Sequence, residues 1–298
     1  MSQQQTHPCP SISLNSGAQI PACGLGLYKT DLENMQALLQ KALDSGYRHF
    51  DTAIHYKNEP QVGQAFQNIF QKGKYKREDI FITSKVFPRS GWNMVQMAEQ
   101  SLKDLQVDYV DLFLLHWPAC SPSENLEIQH RPVHQVWVEL EECVRKGYVK
   151  SIGVSNFNVQ MLFDLLSYAQ IKPSMNQIEL HLYLQQPKLL KFCEKFNIKI
   201  TAFCPLGRGS GMLEDENLKK IAKKYNKTPA QIALHHLHCN LNAIVIPKTS
   251  NLKRLEENFQ WRDFEMDRQD IEYLKNMDKG IRFIDPKNHF TGEIPLFD

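Results

Sequence analysis

Four residues with reactive side chains follow consecutive apolar segments of the sequence. Asp51, Lys85 and His116 each end such a segment, and Tyr56 lies five positions after Asp51. A phenol with a pKa of about 10 is a poor acid at neutral pH. A neighbouring lysine ammonium stabilises the phenolate and lowers that pKa, while a carboxylate keeps the lysine charged. We therefore expect Tyr56 to protonate an oxyanion as it develops, with His116 orienting the substrate oxygen.

Each of these residues also has an ordinary structural interpretation when it is considered alone. A lysine after an apolar strand is usually a solvated strand end. A histidine before Trp-Pro is more often a core or capping residue. The chemical interpretation depends on their occurrence at three consecutive segment ends.

The elements that would position these residues are eight short apolar segments, which alternate with amphipathic stretches. Short continuous apolar runs are typical of strands that are buried on both faces. The predicted strands are Ala22–Leu25, His49–Asp51, Ile80–Lys85, Val110–His116, Ser151–Val154, Met175–Ile178, Ile200–Phe203 and Ala243–Ile246.

Helical periodicity fills the intervals between these strands and continues after the last one. The predicted helices are Asp31–Ser45, Glu59–Gln71, Trp92–Leu105, Pro132–Lys146, Val159–Ala169, Pro187–Phe196, Leu218–Lys224, Pro229–Leu237, Leu252–Phe259 and Arg268–Met277. Thr30 with Glu33, and Thr228 with Gln231, have the spacing of capping boxes at helix starts. Pro229 occupies the first helical position after Thr228, where proline is favoured.

This alternation over 298 residues predicts one (β/α)₈ TIM barrel, a single domain that spans residues 1–298. An N-terminal β-hairpin, Ser11–Leu14 with Gln19–Pro21, is expected to plug the bottom of the barrel, and Asp278–Asp298 is expected to be a C-terminal tail. The main alternative is a doubly wound sheet, which normally carries a glycine-rich phosphate loop after its first strand. Gly24-Leu25-Gly26 lacks the third glycine of that loop, so the barrel is favoured.

Composition argues against several other classes of protein. The net charge is +2 with both signs spread along the chain, so neither a nucleic-acid partner nor a membrane partner is expected. The N-terminus lacks an apolar signal segment, and the seven cysteines are scattered, which favours reduced thiols and a cytoplasmic location. His235, His236 and His238 share one predicted helix without an evident fourth ligand, so no metal is expected.

A series of motifs along nearly the whole chain resembles the aldo-keto reductase superfamily. These motifs are Gly24-Leu25-Gly26, the Asp-Thr-Ala-x-x-Tyr segment at 51–56, the Lys85 and His116 contexts, Gly153–Phe157, Met175–Glu179, Ala202–Gly207, Ile246–Thr249 and Glu257-Asn258. The resemblance implies a (β/α)₈ barrel and the reduction of carbonyl groups with NADPH. It also implies that Asp51, Tyr56, Lys85 and His116 form a catalytic tetrad.

The resemblance further assigns residues to the nicotinamide end of the cofactor. Ser155, Asn156 and Gln177 match residues that hydrogen-bond the nicotinamide carboxamide. Phe203 stands where the family usually places a tyrosine that stacks on the nicotinamide ring, and phenylalanine keeps the stacking face. Leu206 is placed with this cofactor-binding set.

Residues near the end of the chain match the adenosine part of the cofactor site. Lys248 and Arg254 match residues that bind the 2′-phosphate, and two cations there favour NADP⁺ over NAD⁺. Four further residues complete the expected cofactor contacts: Thr249, Asn251, Glu257 and Asn258. Without the resemblance, Lys248, Lys253 and Arg254 would be interpreted as a solvated helix face.

Aromatic residues next to the tetrad predict the substrate pocket. Tyr28, Phe87 and Trp117, with His116, are expected to form its wall, under a loop at 118–131 that follows the fourth strand. A short glycine-rich loop, Gly207 to Glu216, implies within this family an open pocket. We expect medium-sized aldehydes and activated ketones, including aromatic ones, as substrates. The family resemblance also implies a monomeric enzyme.

Three alternatives remain open on the sequence alone. The first is a non-catalytic nucleotide-binding protein with the same fold. The second is an aldolase that uses Lys85 to form a Schiff base, which pairing with Asp51 disfavours because a charged lysine is not a nucleophile. The third is the same chemistry in the direction of alcohol oxidation.

Overall fold

The core of the molecule is a barrel of eight parallel strands that are hydrogen-bonded in chain order. The structure is a computed structural model, and it describes residues 9–120 and 128–284. The barrel strands are β3 (Gly24–Gly26), β4 (His49–Asp51), β5 (Phe81–Val86), β6 (Val110–Leu115), β7 (Val149–Ser155), β8 (Met175–Glu179), β9 (Lys199–Phe203) and β10 (Ala243–Val245). The predicted (β/α)₈ barrel is confirmed.

Contacts between the two ends of the sheet close the barrel. The backbone amide of Val245 in β10 donates to the carbonyl of Ala22, with N and O 3.0 Å apart. Cys23 also forms a parallel β-bridge with Val245. Ala22 and Cys23 therefore pair with the last strand, while β3 pairs with β4 from Gly24 onward.

Helices surround the barrel and continue past its last strand. In the described part of the chain they are α1 (Met35–Asp44), α2 (Glu59–Phe70), α3 (Met94–Leu105), α4 (Val133–Arg145), α5 (Val159–Tyr168), α6 (Pro187–Lys195), α7 (Glu216–Lys224), α8 (Pro229–His235), α9 (Leu252–Glu257) and α10 (Arg268–Asn276). The capping box predicted at α8 is confirmed, because Thr228 and Gln231 bond each other's backbone amides. A π-helical turn, His236–Asn240, follows α8 where a continuation of the α-helix was predicted to Leu237.

The start of α1 corrects the other predicted capping box. The Thr30 hydroxyl donates to the carbonyl of Leu27 at 2.8 Å instead of capping a helix. The amide of Glu33 donates to the Asp31 carboxylate, so residues 31–34 form a turn of their own. The helix therefore begins at Met35 rather than Asp31.

The N-terminal hairpin covers the amino-terminal end of the barrel. Strands β1 (Ser11–Ser13) and β2 (Gln19–Pro21) are antiparallel and separate from the barrel sheet. Leu14 and Ile20 are buried against apolar side chains from inside the barrel. The turn between the strands adds a hydrogen bond from Asn15 to the carbonyl of Pro173 at 2.9 Å.

Two predicted segments fall partly outside the described residues. Positions 121–127 of the predicted loop at 118–131 lie outside the described residues, and the C-terminal tail is described only as far as Ile284. None of the helices within 9–120 and 128–284 combines the length and apolar character that crossing a bilayer requires.

Candidate active site

The carboxyl-terminal ends of three neighbouring strands bring four predicted residues together. Asp51 is the last residue of β4, Lys85 lies in β5, and His116 directly follows β6. Tyr56 ends a 3₁₀ turn, Ile54–Tyr56, that follows β4. The turn places the Tyr56 hydroxyl 3.3 Å from Nζ of Lys85.

Lys85 is the centre of this arrangement. Its Nζ lies 2.6 Å from Oδ1 of Asp51 and 2.7 Å from the carbonyl oxygen of Thr52, in addition to the Tyr56 contact. An ammonium has three N–H donors, and the three acceptors account for all of them. The lysine side chain is fully buried, which makes the Asp51 partner necessary for a charged state.

The direction of the bond between Lys85 and Tyr56 determines what the phenol can do. Because the ammonium donates to the phenol oxygen, the phenol's own O–H remains for another acceptor. Burial, reinforced by the Asp51 charge, raises the pKa of Tyr56 well above its usual value. The expected lowering of this pKa is wrong for the site as it stands, because burial and the nearby Asp51 charge both favour the neutral phenol. Tyr56 is a neutral phenol at physiological pH.

His116 lies beside the phenol as a neutral imidazole. The centroids of the Tyr56 and His116 rings are 5.7 Å apart. Burial, together with the positive charge of Lys85, holds the pKa of His116 well below its usual range. A neutral imidazole can donate or accept a hydrogen bond without adding charge to the pocket.

Two amide side chains, one in β8 and one directly after β7, hydrogen-bond to residues of the predicted tetrad. Gln177 of β8 donates from Nε2 to Oδ2 of Asp51 at 2.7 Å. Asn156, just after β7, donates from Nδ2 to the backbone carbonyl of His116 at 3.0 Å. Ser155 donates to the carbonyl of Gln177 at 2.8 Å. The sequence indicated all three as cofactor contacts and did not indicate the bonds of Gln177 and Asn156 to residues of the predicted tetrad.

The Asn156 side chain also carries an acceptor without a protein donor. Its Oδ1 is buried and has no hydrogen-bond partner within the described residues. Buried polar groups are normally paired, and an unpaired one calls for an explanation. A carboxamide N–H of a bound ligand would supply the missing donor, so the residues fit the nicotinamide group that the sequence resemblance implies.

Aromatic rings form the wall of the site. The Tyr28 ring lies 4.9 Å from Tyr56, and the Phe87 ring lies 4.8 Å from His116, centroid to centroid. Trp117, which follows His116 in the chain, is buried. His55, which the sequence did not indicate, contacts Phe87 at 5.2 Å. Phe203 and Leu206, predicted for the nicotinamide side, are half-buried.

Asn58 is a further residue that sequence reasoning missed. Its Oδ1 accepts from the Thr52 hydroxyl at 2.6 Å, and its Nδ2 donates to the carbonyl of Leu27 at 2.9 Å. It thereby fixes the backbone whose carbonyl accepts from Lys85. In the sequence, the one feature that could have indicated a role for Asn58 in the site is its position two residues after Tyr56.

The predicted adenosine residues lie before, within and directly after α9. Asn251 caps this helix by accepting from the amides of Lys253 and Arg254. Lys248 and Arg254 are exposed, and Nζ of Lys248 donates to the Ser250 hydroxyl. Thr249 is buried, and its hydroxyl accepts from the Asn251 amide. Glu257 accepts from the Thr228 hydroxyl, and Asn258 is buried.

Comparisons with known proteins cover nearly the whole chain. A model of the Aldo/keto reductase family matches residues 22–279. The chain is 41% identical to aldose reductase B of Dictyostelium discoideum, covering 98% of this chain and 100% of that protein. It is 37% identical to an NAD(P)H-dependent D-xylose reductase of Scheffersomyces stipitis, covering 97% and 99% of the two chains.

Two solved structures have the same architecture. The aldose reductase from Schistosoma japonicum superposes with a TM-score of 0.88 at 35% identity, covering 93% of this chain and 95% of the other. An aldo-keto reductase crystallised in complex with NADPH also gives 0.88, at 34% identity, with coverages of 97% and 94%.

Proposed function

This chain belongs to the aldo/keto reductase family, and from that premise we propose that it reduces the carbonyl group of aldehydes and ketones with NADPH. Tyr56 donates the proton to the carbonyl oxygen, assisted by Lys85, Asp51 and His116.

One observation carries the proposal. All three N–H donors of Lys85 are directed at acceptors, one of which is the Tyr56 oxygen. The Tyr56 proton therefore points away from the lysine and is available to a substrate oxygen at the aromatic wall. As negative charge develops on that oxygen and the proton leaves Tyr56, the phenolate that forms is stabilised by the ammonium it already contacts.

The cofactor assignment is supported at both ends of its expected site. When bound, NADPH supplies the hydride. Asn156, Gln177 and Ser155 would hold its carboxamide, since the unpaired Oδ1 of Asn156 needs a donor. The exposed cations Lys248 and Arg254 would pair with a phosphate, which favours NADPH over NADH. A relative in the family is named an NAD(P)H-dependent D-xylose reductase, so use of both cofactors has a precedent.

The aromatic wall supports the expected substrate class. Tyr28 lies beside the proton donor Tyr56, Phe87 lies beside His116, and the buried Trp117 follows His116 in the chain. Their flat apolar rings suit medium-sized aldehydes and activated ketones, including aromatic ones.

Two of the three alternatives, the aldolase and the non-catalytic protein, have less support. Lys85 is fully buried with every donor bonded to an acceptor, so its nitrogen has no free lone pair for a Schiff base. An intact proton-donating cluster argues against a purely non-catalytic role. Alcohol oxidation is the same chemistry reversed and remains available to the site.

A panel of aldehydes and ketones assayed by the loss of NADPH absorbance tests the proposal. We expect turnover of aromatic and medium-sized aldehydes. Absence of turnover for every member would contradict the function, and labelling of Lys85 by borohydride in the presence of a carbonyl substrate would favour an aldolase.

We further propose that the protein works as a monomer in the cytoplasm, which rests on the family resemblance and the cysteine pattern. Light scattering coupled to size-exclusion chromatography measures the first point, and cell fractionation measures the second.

A further inference from the structure

The carboxylate of Asp51 is held from two sides of the barrel. Lys85 of β5 bonds Oδ1, and Gln177 of β8 bonds Oδ2 at 2.7 Å. Strand β8 is separated from β4 by three other strands in the sheet order, so the Gln177 bond crosses the barrel interior. The side chains of Asp51 and Gln177 are both buried.

This second bond fixes the orientation of the carboxylate. A carboxylate that has only one partner can rotate about its Cβ–Cγ bond, and rotation would move Oδ1 relative to Nζ of Lys85. With Oδ2 anchored to Gln177, Oδ1 stays 2.6 Å from Nζ, and Nζ stays within reach of the Tyr56 oxygen. The geometry of the proton donor therefore depends on an amide on the other side of the barrel.

The same amide has a second functional end. An amide side chain offers N–H donors at one end and a carbonyl acceptor at the other. Gln177 uses an N–H to bond Asp51, and its carbonyl is the group that a cofactor carboxamide N–H would need.

Building on the proposed function, we infer that Gln177 is a positioning residue for the tetrad as well as a cofactor contact. It holds the Asp51 carboxylate in the orientation that presents Lys85 to Tyr56. One side chain thus links the cofactor carboxamide to the proton donor.

Two substitutions separate this role from cofactor binding alone. Gln177→Leu removes the donor to Asp51, and we expect kcat at saturating NADPH to fall by about ten- to a hundredfold, in addition to any loss of NADPH affinity. Gln177→Glu keeps the size of the side chain. When its acid is protonated it can still donate to Asp51, and when ionised it places a like charge there.

The pH dependence of Gln177→Glu is the decisive readout. Asp51 is the charged group that residue 177 contacts, and Lys85 bonds Asp51 and Tyr56. His116 lies beside Tyr56, and Cys204, which follows β9, also acts on Tyr56. We expect near wild-type kcat at acidic pH and a progressive loss as pH rises, whereas wild-type kcat should not show that loss. A profile parallel to the wild-type one would overturn the inference.

Gln185→Leu is the matched control. Gln185 is also a buried glutamine, and it donates to the carbonyls of Leu182 and Leu274, away from the tetrad. We expect this variant to lose stability while its kcat and pH profile remain those of the wild type. If Gln177→Leu behaves in the same way at saturating NADPH, Gln177 is not a positioning residue.

The free energy of unfolding of the cofactor-free protein tests the Gln177–Asp51 contact separately from the proposed reductase function. Relative to wild type, Gln177→Glu should lose stability as pH rises, because two carboxylates then face each other in the barrel. Wild-type protein without any turnover would defeat the proposed function but leave this measurement valid. No pH-dependent loss of stability in Gln177→Glu would defeat the contact itself.

Discussion

Lys85 and Asp51 form a buried ion pair, with Nζ and Oδ1 2.6 Å apart and neither side chain more than 3% exposed. Lys85→Met should abolish most turnover and also destabilise the fold by about 3–5 kcal/mol, because the Asp51 charge is left buried without a cation. Denaturant unfolding measures the free energy of unfolding.

The double variant Lys85→Met/Asp51→Asn provides the control for that experiment. Removing both charges should recover most of the lost stability while turnover stays low. A double variant no more stable than the single one would show that the unpaired Asp51 charge is not the cause.

Tyr56→Phe should separate binding from chemistry. Without the phenol proton, we expect kcat to fall by about a hundredfold or more while NADPH affinity, measured by fluorescence titration, stays close to wild type. Tyr148→Phe removes an equivalent hydroxyl from a surface bond to Glu99 and should change neither quantity. Equal turnover of Tyr56→Phe and wild type would remove Tyr56 from the mechanism.

The alkaline limit of carbonyl reduction should lie at high pH. Burial raises the pKa of Tyr56 above its usual value, and a proton donor acts only below its pKa. His116 stays neutral because its pKa is lowered, so it adds no transition near neutrality. We expect kcat for reduction, measured across a pH series at saturating NADPH, to show no fall until pH exceeds about 10. A loss of kcat as pH rises through neutrality would contradict this assignment.

Arg254→Ala should weaken NADPH more than NADH, since only NADPH carries the 2′-phosphate. Loss of one charge-assisted contact corresponds to an affinity change of roughly ten- to a hundredfold for NADPH, which fluorescence titration with each cofactor measures. Lys253→Ala removes a neighbouring exposed charge from the same helix and controls for general electrostatics. Equal weakening of both cofactors by Arg254→Ala would argue against the phosphate contact.

Glu59 should make stability depend on pH. This buried carboxyl accepts from the hydroxyls of Ser84 at 2.5 Å and Ser101 at 2.8 Å, and burial raises its pKa from 4.5 to about 7. The folded state therefore favours the protonated acid. Protonated Glu59 therefore stabilises the fold fully at a pH below the pKa of Glu59 in the unfolded chain. This stabilisation is lost as pH rises through the higher pKa of Glu59 in the folded protein.

Glu59→Gln should remove this dependence, because the amide oxygen can still accept from the serines. Relative to wild type, the variant should gain roughly 2–3 kcal/mol on going from about pH 5 to about pH 8. Chemical denaturation at both pH values measures the difference. Parallel pH dependence in the two proteins would mean that Glu59 does not titrate there.

The barrel was predictable because strands buried on both faces appear as short apolar runs, and their positions matched the structure closely. The ends of the strands were less predictable where hydrogen bonding to a neighbouring strand determines them. Residues 151–154 were predicted as a strand, and β7 extends to Val149–Ser155 because its neighbours continue the ladder. At β3, Gly24 is required by a contact that is distant in sequence, since a Cβ there would lie 2.5 Å from Nδ1 of His49.

The grouping of the site residues followed from strand ends, whereas their mutual bonds did not. The bond between Gln177 and Asp51 depends on the width of the barrel, which local patterns do not encode. The pKa of Tyr56 was predicted in the wrong direction because its burial depends on the surrounding rings and turn. The Thr30–Glu33 spacing was misleading because the Asp31 carboxylate accepts from the Glu33 amide instead.

The closing contact between Val245 and Ala22 also matters while the chain is being synthesised. Until β10 has left the ribosome, β3 and β9 are unpaired sheet edges, and such edges are templates for association with other chains. A nascent chain that stops before β10 would therefore expose two open edges instead of forming a smaller barrel. Such truncated products should depend on chaperones to avoid aggregation.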